Sequence, residues 1–410
     1  MGRRMAVIGG GIGGVAAAYF CDDAFSVDLF EAETVLGGNA ATVVVDGVAV
    51  DLGAETFHPA THPRYWALLH EIGADDTIVE IPGSLSIFDA VTRRPRFVST
   101  HPLRTPGSAL GFLRFTRAAR GFLASDPPPE VTLGEWFAQH PFGRFESEVL
   151  LPWLASLTSS RVETLKMQSA HAFFALFVPA LPSNPLSKAR TYGSRIGLGG
   201  IVARLADRCA NLTLHLGTRV TRLVRGNDGW FVETTAGPSG PYEHVVVNAP
   251  PHTALSFLAD APGELREILS RYEYYPARLV IHDDASVMPA DRRDWGMHDA
   301  AVTGDTCEAS FWLGAYRADA AGRPLELFKS WATYREIDPS RIRAERTFHH
   351  LLLTPEAVRA ARELAEWQGV DGLHFVGHAT ALTDLQETAL QSAIAVAKSV
   401  APGSERLTHP

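Results

Sequence analysis

The sequence predicts a doubly wound, Rossmann-type α/β domain joined to a discontinuous second domain that is helical with a mixed sheet. Three observations predict the first domain. An apolar strand runs into a glycine-rich turn at residues 5–14, a second strand ends in a carboxylate at Glu31, and a late apolar strand at residues 243–250 returns the chain to the same sheet. Strands that alternate with helices in this way are typical of a parallel sheet covered on both faces.

The glycine turn fits the pattern G-x-G-x-x-G. Gly9 allows a tight turn, Gly11 lets a pyrophosphate approach the backbone, and Gly14 lets the following helix lie close to the strand. A helix predicted over residues 15–21 points its positive N-terminal end at that anion. The predicted ligand-binding residues of this turn are Gly9, Gly11, Ile12, Gly13 and Gly14.

Glu31 ends the strand predicted over residues 26–31 and is followed by Ala32. An acid at this distance from the glycines accepts hydrogen bonds from an adenosine ribose. The strand, the helix and Glu31 stand in register, so the sequence predicts a bound dinucleotide. The alternative is a glycine-rich turn in a purely structural α/β domain.

The residues after Glu31 resemble the flavin-containing amine oxidase and desaturase superfamily. Residues 37–39 stand where that superfamily has Gly-Gly-Arg, and residues 50–57 continue with its D-L-G strand end. Nicotinamide dehydrogenases lack this continuation, so the resemblance implies FAD. It places these residues against the flavin or its phosphates: Gly38, Asn39, Gly53, Ala54, Glu55 and Thr56. Asn39 departs from the usual Arg or Lys.

The resemblance continues to the C-terminus. It implies that Gly377 lies beside the ribityl phosphate and that His378 replaces the usual acid. The backbone amides of Gln386, Thr388 and Ala389, at the start of a helix over residues 385–400, would face the flavin pyrimidine. Two further implied cofactor contacts are Val220, beside the adenine, and Ala249. Fragments within residues 256–364 resemble the FAD/NAD-binding oxidoreductases often found with cyclopropane fatty acid synthases.

The same layout predicts the domain organisation. An FAD-binding domain is expected from residues 1–61, 190–255 and 365–410, and a substrate domain from residues 62–189 and 256–364. The pattern over residues 62–188 is mostly helical and interrupted by prolines. Residues 168–181 are the most apolar stretch and predict a buried helix, with lining of a substrate cavity as an additional role.

Composition excludes several classes of function. The 410 residues carry a net charge of −9, which disfavours nucleic acids and anionic membranes as partners. The three cysteines are isolated, so the sequence predicts no disulfide framework and no metal site. No apolar run is long enough for a membrane span. The first strand begins within five residues, which leaves no room for a signal peptide. A cytoplasmic protein is expected, with its oligomeric state left open.

The chemistry predicted from these features is an FAD-dependent oxidoreductase. Non-covalent FAD would take a hydride from a C–C or C–N bond of a lipophilic small molecule. Amine oxidases of this fold often place a Lys near flavin N5 on a strand of the second domain. The corresponding strand here, residues 274–281, has no Lys, and Arg278 is expected to be the nearest cation. The candidate catalytic residues are Arg278, Tyr275 and Trp312. A redox-neutral isomerase or cyclase, an amine oxidase and a non-catalytic flavoprotein stay as alternatives.

Overall fold

The computed structural model describes residues 2–101, 106–181, 189–319, 321–381, 383 and 385–407. The strands are β1 (Arg4–Ile8), β2 (Ser26–Phe30), β3 (Thr42–Val45), β4 (Val48–Asp51), β5 (Ile78–Gly83), β6 (Leu85–Asp89), β7 (Pro95–Val98), β8 (Ala189–Ser194), β9 (Leu212–His215), β10 (Val220–Gly226), β11 (Gly229–Thr234), β12 (Gly237–Tyr242), β13 (His244–Val247), β14 (Tyr274–His282), β15 (His298–Thr303), β16 (Thr306–Trp312), β17 (Phe328–Trp331), β18 (Ile342–Leu351) and β19 (Leu373–Phe375).

The α-helices are α1 (Ile12–Cys21), α2 (Pro63–Glu71), α3 (Pro106–Ala124), α4 (Leu133–Gln139), α5 (Leu151–Ser156), α6 (Val162–Lys166), α7 (Ala170–Phe177), α8 (Gly197–Ala206), α9 (Pro251–Phe257), α10 (Gly263–Ser270), α11 (Pro355–Leu364) and α12 (Gln386–Val400).

The first domain is built on a five-stranded sheet in the order β19-β13-β1-β2-β9, and its neighbouring strands are all parallel. Side chains alternate along β1, so Met5 and Val7 join one core while Ala6 and Ile8 join another. The first core contains α1, α8 and α12, and the second contains α9 and the small sheet β10-β11-β12. The predicted doubly wound α/β fold is confirmed.

Three helices that the domain prediction places in the substrate domain pack against this parallel sheet. Tyr65 and Leu68 of α2 join the first core, and Leu265 of α10 and Ala357 of α11 join the second. The proposed domain bounds therefore cut across two continuous hydrophobic cores.

The second domain contains a seven-stranded sheet in the order β18-β14-β17-β16-β15-β6-β7. It is mixed, because β6 and β15 pair parallel while the other neighbouring strands pair antiparallel. Part of one face packs on the β3–β4 hairpin through Ile281, Trp331, Leu52 and Val50. That contact places the sheet directly beside the predicted flavin-facing residues.

The prediction for residues 62–188 is confirmed for the described residues, because helices make up most of them. The strands β5, β6 and β7 also lie within this stretch, and its end at Lys188 is outside the described residues. Residues 168–181 form α7 and a short 3-10 turn as predicted. Phe173 and Phe174 are fully buried in the helical core, whereas Leu176 and Phe177 keep partial exposure.

Candidate cofactor and substrate site

The glycine turn has the geometry that the sequence predicts. Gly9 adopts a φ of +104°, and a Cβ added to Gly14 would lie 2.0 Å from the carbonyl oxygen of Gly9. The first bond within α1 runs from Val15 N to Gly11 O at 3.0 Å. The amides of Ile12 and Gly13 precede that bond, so the helix itself does not use them. The turn therefore presents backbone donors and no side-chain bulk, which suits a pyrophosphate.

Asn248, at the end of β13, joins this turn to the C-terminal part of the site. Its Nδ2 donates to Gly9 O at 3.3 Å. A Cβ on Gly13 would lie 2.6 Å from Asn248 Oδ1, and one on Gly377 would lie 2.8 Å from the same oxygen. Sequence analysis selected the neighbouring Ala249 and missed Asn248, although its place at the carboxyl edge of a parallel strand was a usable signal.

Glu31 lies beside the turn with a fixed carboxylate. Its Oε2 accepts the Gly10 N–H at 2.6 Å and its Oε1 accepts the Glu33 N–H at 2.8 Å. Each carboxylate oxygen keeps a second acceptor position, which is what two ribose hydroxyls require. Thr218 N donates to Glu31 O at 2.8 Å, so the start of β10 at Val220 lies close to this acid. Ala32 is exposed beside it.

The predicted flavin-facing residues form one continuous backbone surface. Ala54 N donates to Asn39 O at 2.9 Å, and a Cβ on Gly53 would lie 1.8 Å from that oxygen. Gly38 has a φ of +58° and lies against Gly11. Thr56 follows Glu55 and is half-buried. The two segments that the resemblance placed on the flavin therefore meet each other next to the glycine turn.

A buried carboxylate, Asp51, supports this surface from behind. Its Oδ1 accepts from Thr42 Oγ1 at 2.5 Å and from Leu198 N at 2.9 Å, so it caps the start of α8. Burial and the nearby negative charge of Glu55 raise the pKa of Asp51 to about 7. Its charge therefore changes near neutral pH.

Lys329 is the cation that reaches the flavin-facing segment. Its Nζ donates to Gly53 O at 2.6 Å and to Glu55 Oε2 at 3.0 Å, and its side chain is 4% exposed. Tyr316 donates its hydroxyl to the other oxygen of Glu55. The strand β14 has no lysine, as the sequence shows, but Lys329 comes from β17, which pairs with β14. Sequence spacing pointed to β14 alone.

Two of the three candidate catalytic side chains lie on the opposite face of the sheet from Lys329. Arg278 alternates in β14 with Leu279, which pairs with Trp331 of β17, and it forms an ion pair with Glu345. Trp312 donates Nε1 to Leu325 O at 3.0 Å and packs on Trp295. It alternates in β16 with Phe311, which pairs with Lys329, and so it lies on the opposite face of the sheet.

Tyr275 stays on the face that meets the flavin-facing segment. It is in register with His350 of β18 and alternates with Ala277, which packs with Leu52. Its hydroxyl donates to Thr158 O at 3.1 Å. Trp331 lies near His350, and its indole Nε1 is buried with no acceptor among the described residues.

The C-terminal elements supply the last part of the site. Gly377 has a φ of +93°, and its amide donates to Ser392 Oγ at 2.9 Å. His378 Nε2 is 2.8 Å from the Tyr274 hydroxyl. In α12, Ala389 N donates to Leu385 O, so this predicted flavin-facing amide is already used. The amides of Gln386 and Thr388 precede that bond and belong to the open first turn.

Hydrogen bonds join the start of α2 to the start of α12. Glu387 accepts the N–H groups of Arg64 at 3.2 Å and Tyr65 at 2.9 Å. His62 Nε2 is 2.9 Å from Gln386 Oε1, and burial lowers the pKa of His62 to about 4. Gln386 Nε2 is a buried donor without an acceptor in the described part of the chain. The open amides, the orphaned donor and the Cβ-free turn together fit a phosphate-linked ligand such as FAD.

Comparison with known proteins identifies the family. The family model described as flavin containing amine oxidoreductase matches residues 12–282. The chain belongs to this family. It is a flavin-dependent oxidoreductase, and FAD is its cofactor.

Two relatives and one solved structure show how similar this chain is to known proteins. Coproporphyrinogen III oxidase of Bacillus subtilis (strain 168) is 22% identical over 304 residues, which cover 64% of this chain and 63% of that protein. Protoporphyrinogen oxidase 2, chloroplastic/mitochondrial, of Arabidopsis thaliana is 27% identical over 183 residues, covering 42% and 35%. A protein from Exiguobacterium sp. 255-15, assigned as a protoporphyrinogen oxidase, is 16% identical with a TM-score of 0.71 and coverage of 98% and 99%.

The coverage and identity limit what can be said of this chain from its relatives. The chain spans less than two thirds of the length of both named relatives, and the structural match shows the fold alone. Within the described ranges no three His, Cys, Asp or Glu side chains gather as a metal site. The helices in those ranges are too short or too polar to span a membrane.

Proposed function

We propose that the protein removes a hydride from a C–C or C–N bond of an apolar small molecule, using FAD that is held without a covalent bond. One observation carries this proposal. Lys329 bonds Gly53 O, so the face of the seven-stranded sheet that holds Lys329 meets the predicted flavin-facing segment. That face also carries Phe311, Trp331 and Tyr275, which make an aromatic wall for a substrate.

The chain's own residues would supply electrostatic stabilisation and exclude water at this aromatic wall. Bound FAD supplies the two-electron hydride acceptor. The open amides at the start of α12 point a positive helix end at their ligand and stabilise negative charge there. Lys329 and Glu55 form a buried pair, which acts strongly because little water reaches it.

The non-covalent attachment rests on the positions of the cysteines. Cys21 and Cys307 are buried in hydrophobic cores, and burial raises the pKa of Cys209 to about 12. None of them lies in the segments that face the proposed flavin site. Acid precipitation should therefore leave the flavin in solution.

The experiment is anaerobic mixing of the purified flavoprotein with candidate substrates. Porphyrinogens come first, because the named relatives are coproporphyrinogen and protoporphyrinogen oxidases. A true substrate should bleach the visible flavin band and give a desaturated or imine product in equal amount. Simple alkyl amines should bleach it slowly or not at all.

A variant pair links the result to the site. Lys329→Met should slow flavin reduction by about tenfold or more, because a buried charge beside the reacting centre is lost. Lys166→Met, at an exposed lysine paired with Glu163, is the matched control. Lys329→Met alone leaves the Glu55 carboxylate buried without its cation, which can cause misfolding. The double variant Lys329→Met with Glu55→Gln removes that charge as well. Substrate conversion without bleaching would replace this proposal by an isomerase or cyclase.

A further inference from the structure

A pocket with a volume of 340 Å³ opens beside the proposed catalytic site. It lies between the β3–β4 turn and the residues that follow β16, and Val48 and Val79 form part of its wall. Two cationic side chains, Arg195 and Arg317, line the same pocket. Apolar walls with a small number of polar or charged groups are typical of ligand pockets.

Arg317 is held in place but not neutralised. Its Nη2 donates to the backbone carbonyl of Ser194, which orients the planar guanidinium. Burial lowers the pKa of Arg317, yet a guanidinium stays protonated at any ordinary pH. A group with five N–H donors that spends one on a carbonyl has several left for a ligand.

The nearby carboxylates are already paired with other groups. Asp319, two residues along the chain, bonds Arg323. Glu55 is taken by Lys329 and by the Tyr316 hydroxyl. Across the described ranges, no Asp or Glu forms a salt bridge with Arg195 or Arg317. The negative charges of Glu55 and Asp51 act on Arg317 without forming an ion pair with it. Two like charges that line one pocket, neither of them in an ion pair, favour an anionic ligand.

Tyr316 connects the pocket with the proposed catalytic site. It lines the pocket and also donates its hydroxyl to Glu55 in the flavin-facing segment. Arg317 is the next residue along the chain. A ligand anchored there could extend along the aromatic wall.

We propose that Arg195 and Arg317 bind a carboxylate of the substrate, so that the substrate class is an apolar molecule with an anionic end. This inference rests on the proposed function, because it takes the neighbouring aromatic wall as the place of reaction. A carboxylate matches the fork of a guanidinium in two parallel hydrogen bonds, and the valine side chains suit the carbon chain that bears it.

The test measures binding to the FAD-loaded protein without turnover. The probes are decanoate, decanol and decylamine, which share one chain and differ in charge. Binding is followed by titration calorimetry and by perturbation of the flavin spectrum. Decanoate should bind more tightly than decanol or decylamine, by about tenfold or more, as expected for a charge-assisted contact. Its affinity should fall with added salt.

The variants separate the pocket from general charge effects. Arg195→Gln and Arg317→Gln should each weaken decanoate by about tenfold and leave decanol unchanged. Arg195 is exposed, so its variant should fold even if loss of the Arg317–Ser194 contact disturbs the loop. Arg222→Gln is the control, since Arg222 is an exposed arginine paired with Asp260 on the small sheet.

Each outcome decides the matter. Selective binding of decanoate that both pocket variants abolish supports the assignment. Equal binding of decanoate and decanol, or an equal loss in Arg222→Gln, overturns it. Failure to oxidise any compound would count against the proposed function alone, because the binding result does not depend on turnover.

Discussion

At the scale of single residues, the best predicted position is Glu31. The sequence predicts that Glu31 binds a ribose, and the structure shows why this carboxylate is rigid. Two backbone N–H groups, from Gly10 and Glu33, hold its two oxygens. A carboxylate fixed in this way loses little further freedom when it binds a ligand.

Glu31→Gln should weaken FAD binding about ten- to a hundred-fold, because a hydrogen bond to a charged group contributes about 1.5–3 kcal/mol. The variant keeps the size of the side chain and removes its charge. A titration of apoprotein with FAD measures the change, and the spectrum of the bound flavin should stay the same. Glu33→Gln, at the exposed neighbour, should bind FAD normally. An unaltered dissociation constant for Glu31→Gln would remove this residue from the site.

Lys329 shows the limit of prediction for one residue. The strand β14 was predicted well, and its lack of lysine was a correct observation. The cation arrives from β17, which pairs with β14 only after the chain has passed through β15 and β16. No local spacing encodes that pairing, because it depends on the order of strands in the folded sheet.

At the scale of secondary structure elements, helix termini were the most predictable features. The T-x-x-E pattern at Thr132 is the sequence signature of a capping box, and both of its hydrogen bonds form at the start of α4. The helix predicted over residues 385–400 is observed as α12. Its fixation by α2 was not predictable, since Glu387 reaches residues more than three hundred positions away.

Glu387→Ala should lower both stability and FAD affinity. It removes a buried acceptor from the Arg64 and Tyr65 amides and leaves the start of α2 unsatisfied, which costs about 1–3 kcal/mol. Urea denaturation of the apoprotein gives the change in free energy of unfolding, and an FAD titration gives the change in affinity. Thr132→Ala is the control, because loss of that cap should cost about 0.5–2 kcal/mol without changing FAD binding. Wild-type FAD affinity in Glu387→Ala would mean that α12 does not depend on this contact.

At the scale of the whole molecule, buried neutral histidines connect stability with pH. Burial lowers the pKa of four side chains to about 4: His62, His282, His298 and His374. An unfolded histidine has a pKa of about 6.5, so between these values the unfolded chain binds more protons. Stability from these groups is therefore complete above pH 6.5 and is lost as pH falls toward 4. Asp51 has the opposite effect, because its raised pKa means that the folded chain binds more protons up to about pH 7. Its contribution to stability therefore falls as pH rises toward 7.

His298→Gln should flatten this dependence. His298 is fully enclosed and lies 2.9 Å from Ser156 Oγ, a partner that an amide can also use. The free energy of unfolding, measured in urea at several pH values from 4 to 7.5, should lose at most about 1.4 kcal/mol per pH unit of slope. His101→Gln, at an exposed histidine, should leave the slope unchanged. An identical slope in the two variants would contradict a neutral buried His298.

The sequence by itself determined the α/β class, the glycine turn and the FAD family, and it predicted Glu31 as the ribose acid, because these depend on short spacings along one strand–turn–helix unit. Tertiary structure alone decided the rest. Asn248 lies against Gly377, Lys329 contacts Gly53, and Arg195 lines the same pocket as Arg317, although each pair is far apart in the chain. Such contacts follow from strand order and from helix packing across the sheets, and neither can be predicted from the side-chain pattern of one segment.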